Sequence, residues 1–235
     1  MYVVCNFTKW GAMGSTRGML LSQKIFFEIE TRIVQRTYPP GSHLAEDDIA
    51  GELGVSRTPV REALRMLSRA GWLEIQPHSG AYVRNPTMDE VRQVFEVRQT
   101  LEDRAARLAS CNVADSEIKE LQRIIERGWK AVAKSNSKQI TVLNSAFHAT
   151  IAVASRNQIL ARLLEDLGKQ LQWHFSAVAT VRGENSWREH EAILAAIVAG
   201  ETESAGALAG EHSQRTQEAF FMQFLADSVG AARDE

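Results

Sequence analysis

Arginine recurs at every fourth residue, Arg57, Arg61, Arg65 and Arg69, directly after the tripeptide Gly54, Val55, Ser56. A spacing of four is one face of an α-helix, so 57–70 is read as a helix with a cationic stripe. Val60, Ala63, Leu64 and Leu67 supply its apolar face. Ser56 stands where an N-cap belongs, and Gly54 supplies the turn that ends a preceding short helix, Glu46 to Leu53. Pro59 falls in the first helical turn, where its missing N–H costs no hydrogen bond. Two short helices joined by a tight glycine turn read as a helix-turn-helix.

The flanks extend this unit. Leu21, Ile25, Ile29 and Ile33 repeat every four residues and predict a helix from Leu21 to Thr37, ended before Pro39, Pro40 and Gly41. After Gly71, the residues Trp72, Leu73, Ile75, Tyr82 and Val83 around Pro77, Ser79 and Gly80 predict a short hairpin, the wing. Beyond the linker 85–87 strand signals vanish. Helical patterns then cover 88–110, 115–134, 138–155, 157–180, 184–199 and 201–227, with Gly200 as a helix stop and Gly128 and Gly168 tolerated. The expected fold is mostly α: an N-terminal winged helix-turn-helix over 19–86 and a C-terminal antiparallel all-α bundle over 87–230. Residues 1–18 read as a disordered or non-native tail.

Composition narrows the function. With 44% hydrophobic and 24% charged residues, the chain is neither disordered nor fibrous. Its net charge of −2 hides an asymmetry: 10 basic against 8 acidic residues up to Pro86, then 17 against 21. One half is thus suited to face a polyanion. No apolar run reaches the roughly 18 residues of a membrane span, and two cysteines make no disulfide framework. The N-terminus carries neither a secretory nor a transit pattern, so a cytoplasmic location is expected.

The segment GELGVSRTPVREALRMLSRAGWLEIQPHSGAYV, with PPGSHLAEDDIA before it, resembles the winged helix-turn-helix of the GntR family of bacterial transcription regulators. VFEVRQTLEDRAARLA, NSAFH, SRNQIL and EHEAILAAIVAGE resemble the FCD effector domain of its FadR subfamily. The resemblance implies a homodimeric regulator, a repressor or an activator, on a palindromic double-stranded operator. It implies that Arg57, Thr58 and Arg61 contact the operator and that the wing tip, His78, Ser79 and Gly80, meets the minor groove; the hydroxyls of Ser56 and Thr58 can donate to phosphate. Arginine is the commonest reader of guanine in the major groove, which suits this placement. Many relatives carry arginine at Ser79 and a basic residue at Asp47, so operator preference is this chain's own.

Asn144 and His148 lie four residues apart on one helix face, and His190 and His212 fall on later helices of the same bundle. The family's metal-binding members use an Asp four before a His and then two further His. These map onto Asn144, His148, His190 and His212, with Asn replacing Asp. A neutral amide oxygen compensates less charge, and zinc, nickel and manganese all accept such imidazole-rich ligands. Arg98, which with Glu102 would otherwise read as an exposed ion pair, is implied to hold the carboxylate of a small organic-acid effector. Glu189 and Glu191 read as facing away from His190, which leaves no base for a metal-dependent hydrolase. A metal-free sensor of a larger apolar ligand is the other alternative, and a nonspecific architectural protein the third.

Overall fold

The structure, a computed structural model, describes residues 19–77, 79–175 and 182–231. The chain divides into two compact units that meet between Asn85 and Pro86.

In the first unit α1 (Leu21–Val34), α2 (Glu46–Leu53) and α3 (Arg57–Arg69) accompany a three-stranded sheet of β1 (His43–Leu44), β2 (Leu73–Gln76) and β3 (Gly80–Val83). Its order is β1-β3-β2, antiparallel throughout, with His43 opposite Tyr82 and Leu73 opposite Val83. Ile25, Ile29 and Ile33 of α1 bury against the apolar face of α3, whereas Leu21, the first of that repeat, is exposed. Gly54 ends α2 in the left-handed conformation, φ 66°, which glycine adopts without strain. Ser56 occupies the N-cap of α3, but its side chain makes no capping hydrogen bond.

The second unit is helical: α4 (Met88–Asn112), α5 (Asp115–Ala133), α6 (Ser137–Ala154), α7 (Gln158–Phe175), α8 (Gly183–Val198) and α9 (Thr202–Ala231). The start of α4 is fixed by a capping box in which Thr87 Oγ1 accepts from the Glu90 amide while Glu90 accepts from the Thr87 amide. Asn136 caps α6 by accepting from the Gln139 amide. These caps set the phase of the two helices that carry Arg98 and His148. Arg156, in the turn from α6 to α7, takes a left-handed φ of 58°, and its guanidinium holds Glu117 of α5 through two hydrogen bonds. The core centres on Phe95, Leu121, Leu143, Phe147, Trp187 and Ile193, and α4 packs along α9. Gly128 has a direct reason here: a Cβ there would meet the Trp187 ring at 2.4 Å. No helix among the described residues is long and apolar enough to cross a membrane.

Candidate functional site

In the first unit Ser56, Arg57, Thr58 and Arg61 are exposed and gathered on the first turns of α3. The first turn of a helix leaves backbone N–H groups without intrahelical partners, and such groups can bind phosphate. Ser79 and Gly80 lie exposed at the hairpin turn, and His78 lies outside the described residues. One feature escaped the sequence reading. Arg61 donates from Nε and Nη2 to Glu46 at 2.9 and 2.8 Å, and Arg57 pairs with Asp47, so both arginines are tied to carboxylates of α2. Glu46 is held below the usual carboxylate range, chiefly by the hydrogen bond from Arg61.

In the second unit α6, α8 and α9 bring His148, His190 and His212 together. One ring nitrogen from each lies within 4.8 Å of the others. Asn144 sits one turn before His148, and with Arg98, Glu102 and His212 it bounds a void of about 10 Å³ beside the cluster, roughly one water or ion in size. His190 is fully buried, stacked on Phe147 at 4.2 Å and edge-on to Trp187 at 4.8 Å.

Two carboxylates, Glu102 buried and Glu189 partly buried, orient two of the three rings. Glu102 Oε1 lies 3.1 Å from His148 Nδ1, and Glu189 Oε2 lies 2.7 Å from His212 Nδ1. A carboxylate at Nδ1 fixes the proton there and turns the Nε2 lone pair inward, the usual second-layer support of a metal-bound imidazole. His148 Nε2 and both His190 nitrogens are buried without a hydrogen-bond partner. Trp187 Nε1 is likewise unpartnered, but indole only donates and offers nothing to a cation. Buried acceptors are rarely left unmet, so the three imidazoles and the adjacent amide fit a divalent cation.

Two expectations change. The pair Arg98 and Glu102, Nε to Oε1 2.7 Å, is buried rather than exposed, and Ser213 of α9 also donates to Glu102. Glu189 does not face away from the cluster: it reaches His212 on the neighbouring helix and accepts two hydrogen bonds from Arg182. Glu191 accepts from Trp129 Nε1 instead.

Burial opposes charge at His190 and His212. It pushes His212 down to about 4, against the hydrogen bond to Glu189, and holds His190 well below its ordinary value. Burial would raise Glu189, but His212 and Arg182 outweigh it and hold the carboxyl at about 2. In metal-free protein the unfolded chain therefore binds protons more readily than the fold. Stability is full above about pH 6.5, falls toward pH 4 as unfolded histidines protonate, and falls again below about pH 4.5 through the carboxylates. His212 alone carries on the order of 3 kcal/mol at about 1.4 kcal/mol per unit. Urea midpoints of chelated protein are expected to drop between pH 7.5 and pH 5. Equal midpoints would show that the rings are hydrated in the fold.

A cavity of about 330 Å³ opens from Arg98, Glu102, Asn144 and His148 along α6 and α7. Arg98 spends Nε on Glu102, and its terminal amino groups make no hydrogen bond among the described residues. They are thus free to grip a carboxylate entering from the cavity.

The family model described as "FCD domain" matches residues 93–215, and that described as "Bacterial regulatory proteins, gntR family" matches residues 21–83. The chain is 30% identical over 217 residues, 92% of each chain, to a protein of Paenarthrobacter nicotinovorans named "Probable D-xylose utilization operon transcriptional repressor". It is 28% identical over 187 residues, 77% of this chain and 83% of the other, to the uncharacterized HTH-type transcriptional regulator YdhC of Bacillus subtilis. Among solved structures, E. coli McbR/YncC superposes with a TM-score of 0.76 at 24% identity, covering 88% of this chain and 99% of that one, a likeness of fold.

Proposed function

The chain belongs to the GntR family of bacterial regulatory proteins, in the branch with an FCD domain, and is a DNA-binding transcription regulator; from that premise we propose that a small organic acid controls its operator binding at a metal site in the helical bundle. The observation that carries the reading is the histidine cluster, three converging imidazoles of which His148 and His190 have buried, unpartnered nitrogens. His148, His190, His212 and the Asn144 amide would hold a divalent ion such as zinc, nickel or manganese. Such an ion supplies positive charge and coordination positions open to a carboxylate oxygen. Arg98 adds a fixed guanidinium from α4, so one carboxylate is held from two sides. Glu102 and Glu189 keep the rings aimed, and Phe147 and Trp187 exclude water from His190.

For the acid to act as an effector it must bind the DNA-competent and incompetent states unequally. A homodimer reading two half-sites of a palindrome accounts for the single recognition helix per chain. A repressor's role is supported by the relative that carries that name.

The test is metal per chain by plasma mass spectrometry on protein purified without chelator, followed by operator binding with and without added carboxylates. About one equivalent, and operator affinity that changes with acid only when metal is present, is the expected result. No metal after reconstitution would overturn the metal-dependent reading and favour the metal-free sensor.

At the DNA face, Arg61→Ala is expected to weaken operator binding by about 1–3 kcal/mol and relax one base preference. Glu46→Gln acts in the opposite sense on the same side chain. Released from its bidentate partner, Arg61 is expected to bind phosphate on any sequence, raising nonspecific affinity and steepening the salt dependence by about one charge. Mobility-shift titrations at several salt concentrations with operator and random duplex measure both. An unchanged ratio of specific to nonspecific affinity in both variants would remove Arg61 from the reading surface.

A further inference from the structure

We infer that the cavity beside the histidine cluster takes a diacid, whose second acidic group is read by Arg162 on α7. This deepens the proposed function and rests on its carboxylate at Arg98.

The cavity wall carries five charged side chains, Arg98, Glu102, Arg162, Glu165 and Lys169. Two cations are already answered, Arg98 by Glu102 at 2.7 Å and Lys169 by Glu165 at 3.6 Å. Arg162 has no ion pair and no hydrogen bond among the described residues. The lining is thus left with one surplus positive charge. Between the charged ends the wall is apolar, with Ala149, Ala152, Val153 and Leu164.

Position supports the same ligand. The helices α6 and α7 run back from the turn at 155–157 as an antiparallel pair, and they pack on one another. His148 lies eight residues before Arg156 and Arg162 six after it, so at 1.5 Å per residue they stand at nearly the same level on opposite helices. Arg98 and Arg162 both line this cavity, so a compact linear acid lying along it can meet one guanidinium with each carboxylate. A cavity of about 330 Å³ is at the small end of ligand sites, in keeping with a compact acid. A monocarboxylate spends its single charge at Arg98 and presents only hydrocarbon to Arg162.

The test uses calorimetric titration of the zinc-loaded full-length protein with glutarate and adipate, each against the monoacid of equal length, pentanoate and hexanoate. The expected result is diacid affinity about tenfold above the matched monoacid, the effect of one added charge-assisted contact. Arg162→Gln is expected to abolish that difference and leave monoacid affinity unchanged. Because Arg162 is exposed, the substitution leaves the core intact. Equal affinities of the two series in the wild type, or a diacid preference that survives Arg162→Gln, overturns this inference alone. Binding of neither series to protein shown to hold zinc overturns the organic-acid reading and this inference with it.

Discussion

Alanine at His148 is expected to abolish zinc binding by the bundle. Wild-type protein reconstituted with zinc and freed of excess ion should carry about one equivalent, and the variant less than about a tenth of that. Structural zinc sites gain about 10–16 kcal/mol from four ligands, so one imidazole is worth about 2.5–4 kcal/mol, on the order of a hundredfold or more in affinity. The effect extends to stability. An ion that binds only the fold, present at about a thousand times its dissociation constant, adds about 4 kcal/mol, so zinc should raise the thermal midpoint of the wild type and leave the variant where it was. His148 is the informative position because it lines the cavity along α6 and α7, so its removal enlarges that cavity rather than opening a sealed one. His190 is less so: it is sealed between Phe147 and Trp187, and alanine there also opens a cavity. A His148→Ala protein that keeps stoichiometric zinc would place the ion elsewhere.

The helices of both units were legible because their cause is local. The arginine stripe, the isoleucine repeat of α1 and the glycine after α2 each act within a few residues, and the observed ends fall close to the expected ones. The strand β1 was missed because nothing in His43–Leu44 alone makes a strand; it exists by pairing with β3 some forty residues later. The histidines themselves were legible as types at telling positions. Their carboxylate partners were not. Glu102 reads from sequence as half of an i, i+4 pair, yet it receives Ser213 from 111 residues away. Glu189 leaves the face of α8 that carries His190, and only the course of α9 beside it reveals His212 as its partner. Gly128 looked merely tolerated, whereas Trp187 fills the space that any side chain there would need. Helical periodicity states which face a residue occupies, and it is silent on which helix that face meets.

Removing the Glu102 carboxylate should be the most destabilising change at the site. Glu102→Ala is expected to cost about 3–5 kcal/mol, read from urea denaturation, because it leaves the Arg98 charge buried without a partner. It also removes the acceptor of Ser213 Oγ and the carboxylate beside His148 Nδ1, so α4, α6 and α9 lose a shared anchor together. Burial acts to raise this carboxyl, but Arg98, His148 and Ser213 hold it well below the usual range, so it is an anion in the fold. Charge and packing are separable by a cycle. Arg98→Met combined with Glu102→Leu replaces the pair by apolar groups of similar size, and a buried ion pair exchanged in this way is often neutral for stability. Set against its two single variants, Arg98→Met and Glu102→Leu, the double variant is therefore expected to unfold nearer the wild type than Glu102→Leu does, with a coupling of about 1–3 kcal/mol. On the proposed function it should nonetheless have lost the response of operator binding to carboxylates, since there Arg98 is the group that grips the acid and Glu102 aims His148. If Glu102→Ala unfolds within about 0.5 kcal/mol of the wild type, the range of an ordinary surface substitution, the carboxylate does not anchor these helices. If the double variant keeps its response to acid, the effector is held without Arg98, and the metal cluster alone must carry the recognition.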